Sequence, residues 1–139
     1  MKITDFIDDD AIKKMKKEIE NSNGNEILLR GIPNVNGIVI DMELIARGNE
    51  SSVAALLNMM KKNEVIIHNH PSGILIPSNE DVTISSIYGE SGGASYIINN
   101  DVDEIYIVVP LKKNIKINID EFFGKNGKIH KKFIKNLNK

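Results

Sequence analysis

The sequence predicts an α/β fold in which a mixed β-sheet is flanked by helices. Three observations lead to this class. Apolar, strand-like stretches alternate with stretches of helical periodicity, and a short turn suited to a hairpin joins the first two strands. The chain has 139 residues, of which 41% are hydrophobic and 27% are charged. These values are typical of a single globular domain that is large enough to bury a core.

The N-terminal part of the chain predicts one helix and one hairpin. Ile12, Met15 and Ile19 recur at spacings of three and four residues, which places them on one helix face, and Thr4 or Asp8 is positioned to cap that helix. The turn cluster NSNGN then ends the helix. EILLRGI and GIVIDMELIARG are apolar enough for strands of a covered sheet, and the short PNVNG segment between them predicts an antiparallel pair.

After the hairpin, helical and extended stretches alternate. NESSVAALLNMMKK predicts a helix, with Asn49, Ser51 or Ser52 as its cap. EVIIHNH predicts a short strand that runs directly into two prolines. SNEDVTISSIYGE predicts the next helix, and SYIINN and EIYIVVP predict the last two strands.

The distribution of charge suggests how the chain is organised. The net charge is −1, yet from residue 111 onward nine lysines stand against only two acidic residues. We therefore expect an N-terminal helix and turn (1–25), a core domain (26–110) and a lysine-rich extension (111–139). A solvated terminal helix is the simpler interpretation of the extension. Contact with nucleic acid is the alternative, although the extension has few aromatic side chains for base stacking.

The composition also excludes several kinds of chemistry. The chain has no cysteine, so it has no disulfides, no thiolate metal ligands and no cysteine nucleophile. No apolar run is long enough to span a bilayer, and the N-terminus lacks the features of a signal peptide. We expect a cytoplasmic protein without a membrane partner.

The segment VIIHNHPSGILIPSNED concentrates the residues that are suited to chemistry. His68 and His70 are separated by one residue at the end of a predicted strand, so both imidazoles point to the same side. The prolines and glycine that follow reverse the chain and bring Asp81 back toward the strand end. Two imidazoles and a carboxylate are a ligand set for zinc that leaves one position open for water. The competing interpretation is structural, because Ser78 and Asp81 also fit a helix capping box.

The spacing of these residues resembles that of a known family. His68-Asn69-His70, then seven residues, then Ser78-Asn79-Glu80-Asp81 is the pattern of the JAMM (also JAB or MPN+) metalloproteases. HNHPSG is most similar to the bacterial RadC-type branch. GNESSVAALLNMM and YIINNDVDEIYIVVP also resemble the JAB-type domain in front of some DinG-like helicases. The resemblance runs from about Glu26 to Pro110 and implies the three-layer, cytidine-deaminase-like JAMM/MPN architecture.

The resemblance implies a role for each site residue. His68, His70 and Asp81 would bind a zinc ion, and a glutamate on an earlier strand would act as general base. Glu26 matches that position, with Glu43 and Glu50 as open alternatives. Ser78 would help to hold the oxyanion of the tetrahedral intermediate.

The function that the resemblance implies is a zinc-dependent hydrolase. It would use zinc-activated water and a glutamate base to cleave a peptide or isopeptide bond in a peptide or protein substrate. The alternative is a metal-binding, RadC-like accessory module of a DNA-repair or helicase system without protease activity, in contact with a helicase or another DNA-processing partner. A metal-free structural domain is a third possibility.

Overall fold

The computed structural model describes residues 2–48, 58–90 and 93–108. These residues form a five-stranded sheet and two α-helices, preceded by a short 3-10 turn. The elements in chain order are the turn Ile3–Asp5, α1 (Asp9–Asn21), β1 (Ile27–Pro33), β2 (Val39–Arg47), β3 (Val65–Asn69), α2 (Asn79–Glu90), β4 (Ala94–Ile98) and β5 (Ile105–Val108). The predicted α/β class is confirmed.

The sheet is mixed, and its strand order is β2-β1-β3-β4-β5. β1 pairs antiparallel with β2, as the hairpin prediction requires, and antiparallel with β3 on its other side. β3 runs parallel to β4, with α2 in the crossover between them, and β5 returns antiparallel to β4. β3 is therefore the central strand, with two strands on either side of it.

The larger core lies between the sheet and α1. Successive side chains of a strand point to opposite faces. Leu29, Ile67 and Ile98 point to the α1 side, where they are fully buried with Met15 and Ile19. The helical periodicity seen in the sequence thus marks the face of α1 that packs on the sheet.

The opposite face of the sheet carries α2. Ile66 points to this side and packs against Tyr88 and Ile84 of the helix. The neighbouring strands present Ile97 and Tyr106, which form a small cluster with Leu75 from the segment before α2. Helices therefore cover both faces of the sheet, and His68, two residues after Ile66, points to the α2 side.

The N-terminus of α1 is capped by Asp8, one of the two residues that the sequence offered. The Asp8 carboxylate accepts a hydrogen bond from the Ala11 amide at 2.9 Å. Thr4 lies instead in the preceding 3-10 turn. An acidic cap also compensates the partial positive charge at the helix N-terminus.

Two predicted segments lie mainly outside the described residues. The helix predicted with Asn49, Ser51 or Ser52 as its cap falls largely within 49–57, and the lysine-rich extension occupies 111–139. Among the helices that the structure describes, none combines the length and the apolar character needed to cross a membrane.

Candidate metal centre

Three side chains meet on the α2 side of the sheet, at the end of β3. His68 Nε2 lies 3.1 Å from Asp81 Oδ1, and His70 Nε2 lies 3.0 Å from Asp81 Oδ2. The two Nε2 atoms are 3.1 Å apart. Zinc–ligand bonds of about 2.0–2.1 Å in a tetrahedral site separate the ligand atoms by roughly 3.3 Å. The two imidazole nitrogens and the two carboxylate oxygens therefore lie at distances close to those between the ligands of one zinc ion.

The backbone explains why the two imidazoles converge. His68 belongs to β3 and pairs with Leu28 on one side and Ile97 on the other. His70 lies just beyond the strand, and its amide donates to the Ile98 carbonyl at 2.9 Å, which completes the last pair of the parallel ladder between Asn69 and Ile98 and holds the His70 backbone next to β4. Both histidines are thus held in extended backbone, and their side chains point to the same face.

The hydrogen bond on the far side of the His70 ring fixes its tautomer. His70 Nδ1 lies 2.9 Å from the carbonyl oxygen of Ile74. Because a carbonyl only accepts hydrogen bonds, Nδ1 carries the hydrogen. In the neutral ring the lone pair of Nε2 faces His68 and Asp81, which is the form that binds a metal, whereas in the protonated ring Nε2 donates a hydrogen bond to Asp81 Oδ2.

Asp81 is both the third member of this group and part of the α2 cap. The Ser78 amide donates to Asp81 Oδ2 at 2.9 Å, and the Asp81 amide donates to Ser78 Oγ at 3.1 Å. This reciprocal pair is the capping box that the sequence suggested. The cap fixes the carboxylate at the first turn of α2 and leaves both oxygens facing the histidines. The structural and the metal-binding interpretations of Asp81 are therefore compatible.

The charges of the group support each other in the absence of a metal. The hydrogen bond with Asp81 raises the pKa of His70 above its ordinary value of 6.5, against the opposing effect of burial. Burial alone would raise the pKa of the Asp81 carboxyl, but its hydrogen bonds with His68 and His70 outweigh this effect and hold the pKa far below its usual range. Asp81 is therefore ionised and able to act as a metal ligand at neutral pH.

Glu26 lies next to this group, immediately before β1. Its carboxylate, the two imidazoles and Asp81 each offer a donor atom, and these four atoms lie within 4.8 Å of one another. The antiparallel register, in which Leu28 faces His68, brings Glu26 opposite His70. Glu26 is exposed, whereas the histidines and Asp81 are buried or half-buried.

Of the two rival glutamates, only Glu43 lies within the described residues, and it does not have this placement. Glu43 is in β2, where it forms an ion pair with Arg30 at 2.8 Å, and it does not belong to the four-residue group. Glu50 lies outside the described residues. The roles of Glu26 as base and of Ser78 at the oxyanion stay predictions, as do the three assigned ligands.

Two asparagines that lie close to the candidate site, Asn69 and Asn100, were not identified from the sequence. Asn69, between the two histidines, is fully buried, and its side chain contacts Asn100 in the β4–β5 turn. The position of Asn69 could have indicated its importance, because a polar side chain that points from a strand into an apolar core needs hydrogen-bond partners inside the protein. The partners themselves lie too far away in sequence to be predicted.

Comparison with known proteins reveals one distant relative. No family model matches the chain. It is 29% identical over 85 residues to the UPF0758 protein pc1765 of Protochlamydia amoebophila (strain UWE25), an alignment that covers 55% of this chain and 36% of that protein. The chain thus spans about a third of the length of the curated relative that it matches. This similarity indicates distant homology to a UPF0758 protein, and with the four-residue group it makes a metal site the candidate function of this edge of the sheet.

Proposed function

We propose that the protein is a zinc-dependent hydrolase of the JAMM type that cleaves a peptide or isopeptide bond. The observation that carries the proposal is the convergence of Glu26, His68, His70 and Asp81 within 4.8 Å at the end of the central strand. The distant homology to a UPF0758 protein supports the proposal, because UPF0758 proteins are RadC-like. The motif in this chain also resembles the RadC-type branch of the JAMM family.

The residues present fit a zinc ion. His68, His70 and Asp81 would hold it, since the His70 tautomer, the ionised Asp81 and the spacing of the three donor atoms all suit tetrahedral coordination. Three protein ligands leave a fourth position open. A zinc ion bound in this way lowers the pKa of a coordinated water to about 7 in well-understood enzymes.

Glu26 would act as the general base. Its exposed carboxylate offers a donor atom within 4.8 Å of those of His68, His70 and Asp81, which supports a role as the group that accepts and returns a proton. The same carboxylic acid would then protonate the leaving amine. Ser78 would assist, because Oγ uses a lone pair to cap α2 and its O–H remains available to a developing oxyanion.

The test is to compare Glu26→Gln with the wild-type chain. Glutamine has nearly the same size but takes no proton, so turnover should fall by about 10²–10⁴-fold while zinc stays bound. Turnover would be measured on a library of internally quenched fluorogenic peptides, and zinc by elemental mass spectrometry. Glu43→Gln is the matched control, and it should retain turnover. Loss of zinc from Glu26→Gln, or undiminished turnover, would refute the assignment of the base.

A second candidate function is an accessory module of a DNA-processing system, in which a metal only organises the loop. It is favoured by the excess of nine lysines over two acidic residues from residue 111 onward. Each lysine–phosphate contact releases counterions. Replacing Lys131 and Lys132 with glutamine should then weaken binding to duplex DNA and flatten its salt dependence. An unchanged salt dependence would exclude this function for the extension.

A further inference from the structure

Asn69 has a saturated side-chain amide on the face of the sheet opposite to the metal centre. It lies between His68 and His70, and the alternation of β3 directs it toward the α1 side, where it is 0% exposed. Its Oδ1 accepts from the Ile27 amide at 2.8 Å, and its Nδ2 donates to the Asn25 carbonyl at 3.2 Å and to Asn100 Oδ1 at 2.7 Å. Both amide hydrogens and the oxygen of this side chain therefore have partners.

Backbone groups fix the orientation of both amides. The Ile27 N–H can only donate, so the Asn69 atom that faces it must be the oxygen, and the Asn25 carbonyl can only accept, so it must face the nitrogen. Asn100 is oriented in the same way, because its Nδ2 donates to the Gly24 carbonyl at 2.9 Å. Its oxygen is thereby directed at Asn69. We call this pair of side chains, Asn69 and Asn100, the amide clamp.

The amide clamp brackets Glu26. Its bonds reach Gly24, Asn25 and Ile27, the residues on either side of that glutamate. The pairing of β1 with β3 ends at Leu28 and His68, so Glu26 lies beyond the last paired residue of this ladder. On the β2 side its carbonyl accepts from the Gly48 amide at 2.8 Å. On the β3 side, the two asparagine amides take the place of the ladder.

The turn that carries Asn100 is itself rigidly held. Asn99 Oδ1 accepts from the Asp103 and Glu104 amides, both at 3.0 Å. Val102 adopts a φ of 50°, which is strained for a β-branched residue, and it is 1% exposed in the main core. A strained residue persists where the surrounding packing determines its position. The clamp therefore connects Glu26 to a fixed point of the molecule.

We propose that the amide clamp is a positioning device that sets the place of the Glu26 carboxylate relative to the three metal ligands. Asn69 points away from the centre, so it acts only through the backbone beside Glu26 and touches neither metal nor substrate. What Glu26 does once it is in place rests on the proposed hydrolase function. Its placement does not, and it can be measured without turnover.

The first test measures the hydrogen bond of the clamp by amide exchange in the NMR spectrum of the full chain. In Asn69→Ala the Ile27 amide should exchange about tenfold faster, as expected for one lost hydrogen bond of about 1.4 kcal/mol. The Leu29 amide, within the paired part of β1, should be unaffected. Asn34→Ala is the matched control, because Asn34 Oδ1 accepts from the Asn36 and Ile38 amides in the β1–β2 turn, at the other end of β1, and its loss should leave Ile27 unchanged. Unchanged Ile27 exchange in Asn69→Ala would overturn the clamp.

The second test locates Glu26 relative to the metal. In the protein loaded with cobalt(II), the paramagnetic shifts of the Glu26 side-chain carbons report their position with respect to the ion. These shifts should change in Asn69→Ala and in Asn100→Ala. The histidine ring signals should keep their wild-type shifts, and the affinity for cobalt should stay within about threefold of the wild-type value, because neither substitution alters a metal ligand. A Glu26 signal at its wild-type position in both variants would refute the proposal, as would a loss of affinity equal to that of His70→Ala.

Turnover then separates this proposal from the proposed function. If the protein cleaves peptides, Asn69→Ala should lower kcat about tenfold or more at unchanged KM, with no further loss in the Glu26→Gln background. If the wild-type chain cleaves no peptide while the exchange and cobalt results are as expected, the hydrolase function fails and the clamp stands. Asn100→Ala removes the other member of the clamp at a less buried position, so it serves if Asn69→Ala does not fold.

Discussion

At the scale of single residues, the centre is built from side chains that each perform two tasks. Asp81 caps α2 and binds both histidines, and His70 is oriented by the Ile74 carbonyl on one side and by Asp81 on the other. The convergence of these residues was predictable, because their spacing and the alternation of a strand require it. Asn69 was not, since its partners are 42 and 31 positions away in sequence.

Asp81→Asn should separate the two tasks of that residue. Asparagine still accepts from the Ser78 amide, so the cap of α2 should persist, and the Tm of the apoprotein should fall only through the loss of the charged hydrogen bonds with His68 and His70. The negative charge is lost, so zinc affinity should fall by at least about 100-fold, the upper range for outer partners of a metal site. Calorimetric titration and the Tm would be measured together. Zinc affinity close to that of the wild type would show that Asp81 is not a ligand.

The stability of the apoprotein should depend on pH through His70. Its pKa is raised in the folded state, mainly by the hydrogen bond with Asp81, so the folded protein holds this proton more tightly than the unfolded chain does. The stabilisation is thus complete below the unfolded pKa, about 6.5, and is lost as the pH rises through the raised folded value. The Tm of the apoprotein should fall from about pH 6 to pH 8 by more than the Tm of His70→Gln.

Zinc reverses this dependence, because the ion competes with the same proton. In the presence of zinc, the Tm of the wild-type chain should rise over the pH interval in which that of the apoprotein falls. Parallel pH profiles with and without zinc would mean that the metal does not bind at His70.

At the scale of helices and strands, different signals located different elements. Helical periodicity predicted α1, apolar runs joined by a short turn predicted the β1–β2 hairpin, and a capping sequence predicted the start of α2, whose apolar periodicity is weak. The pairing of β1 with β3 was not predicted from the residues, since it joins strands that are not consecutive. This pairing is what brings Glu26 beside His70.

The cap of α1 offers a test that is separate from the metal centre. Asp8→Ala removes the acceptor of the Ala11 amide and should cost about 1 kcal/mol, equivalent to a few degrees in Tm. Zinc affinity should stay the same, because α1 packs on the face of the sheet opposite to the ligands. Asp9→Ala, at an exposed position of the first turn, is the control and should cost less. Equal losses in the two variants would mean that Asp8 acts only through its charge.

At the scale of the whole molecule, the sheet carries the candidate metal centre at one end of its central strand. The α1 side supplies the large apolar core and the amide clamp, and the α2 side supplies the ligands. This division allows the core to position a site that it does not contact. The mixed sheet with helices packed against it followed from alternating strands and helices in the sequence, whereas the three-layer architecture was implied by the family resemblance. The strand order was needed to identify the glutamate that lies beside the histidines, because Glu26 and Glu43 both occur in the predicted hairpin region.

The metal content of the purified chain tests the central claim most directly. The protein would be prepared without a chelator or a histidine tag and analysed by elemental mass spectrometry beside His70→Ala. The convergence of His68, His70 and Asp81 predicts about one zinc per chain in the wild type and a large loss in the variant. No stoichiometric metal in the wild type, or the same content in both proteins, would contradict a metal centre at the end of β3.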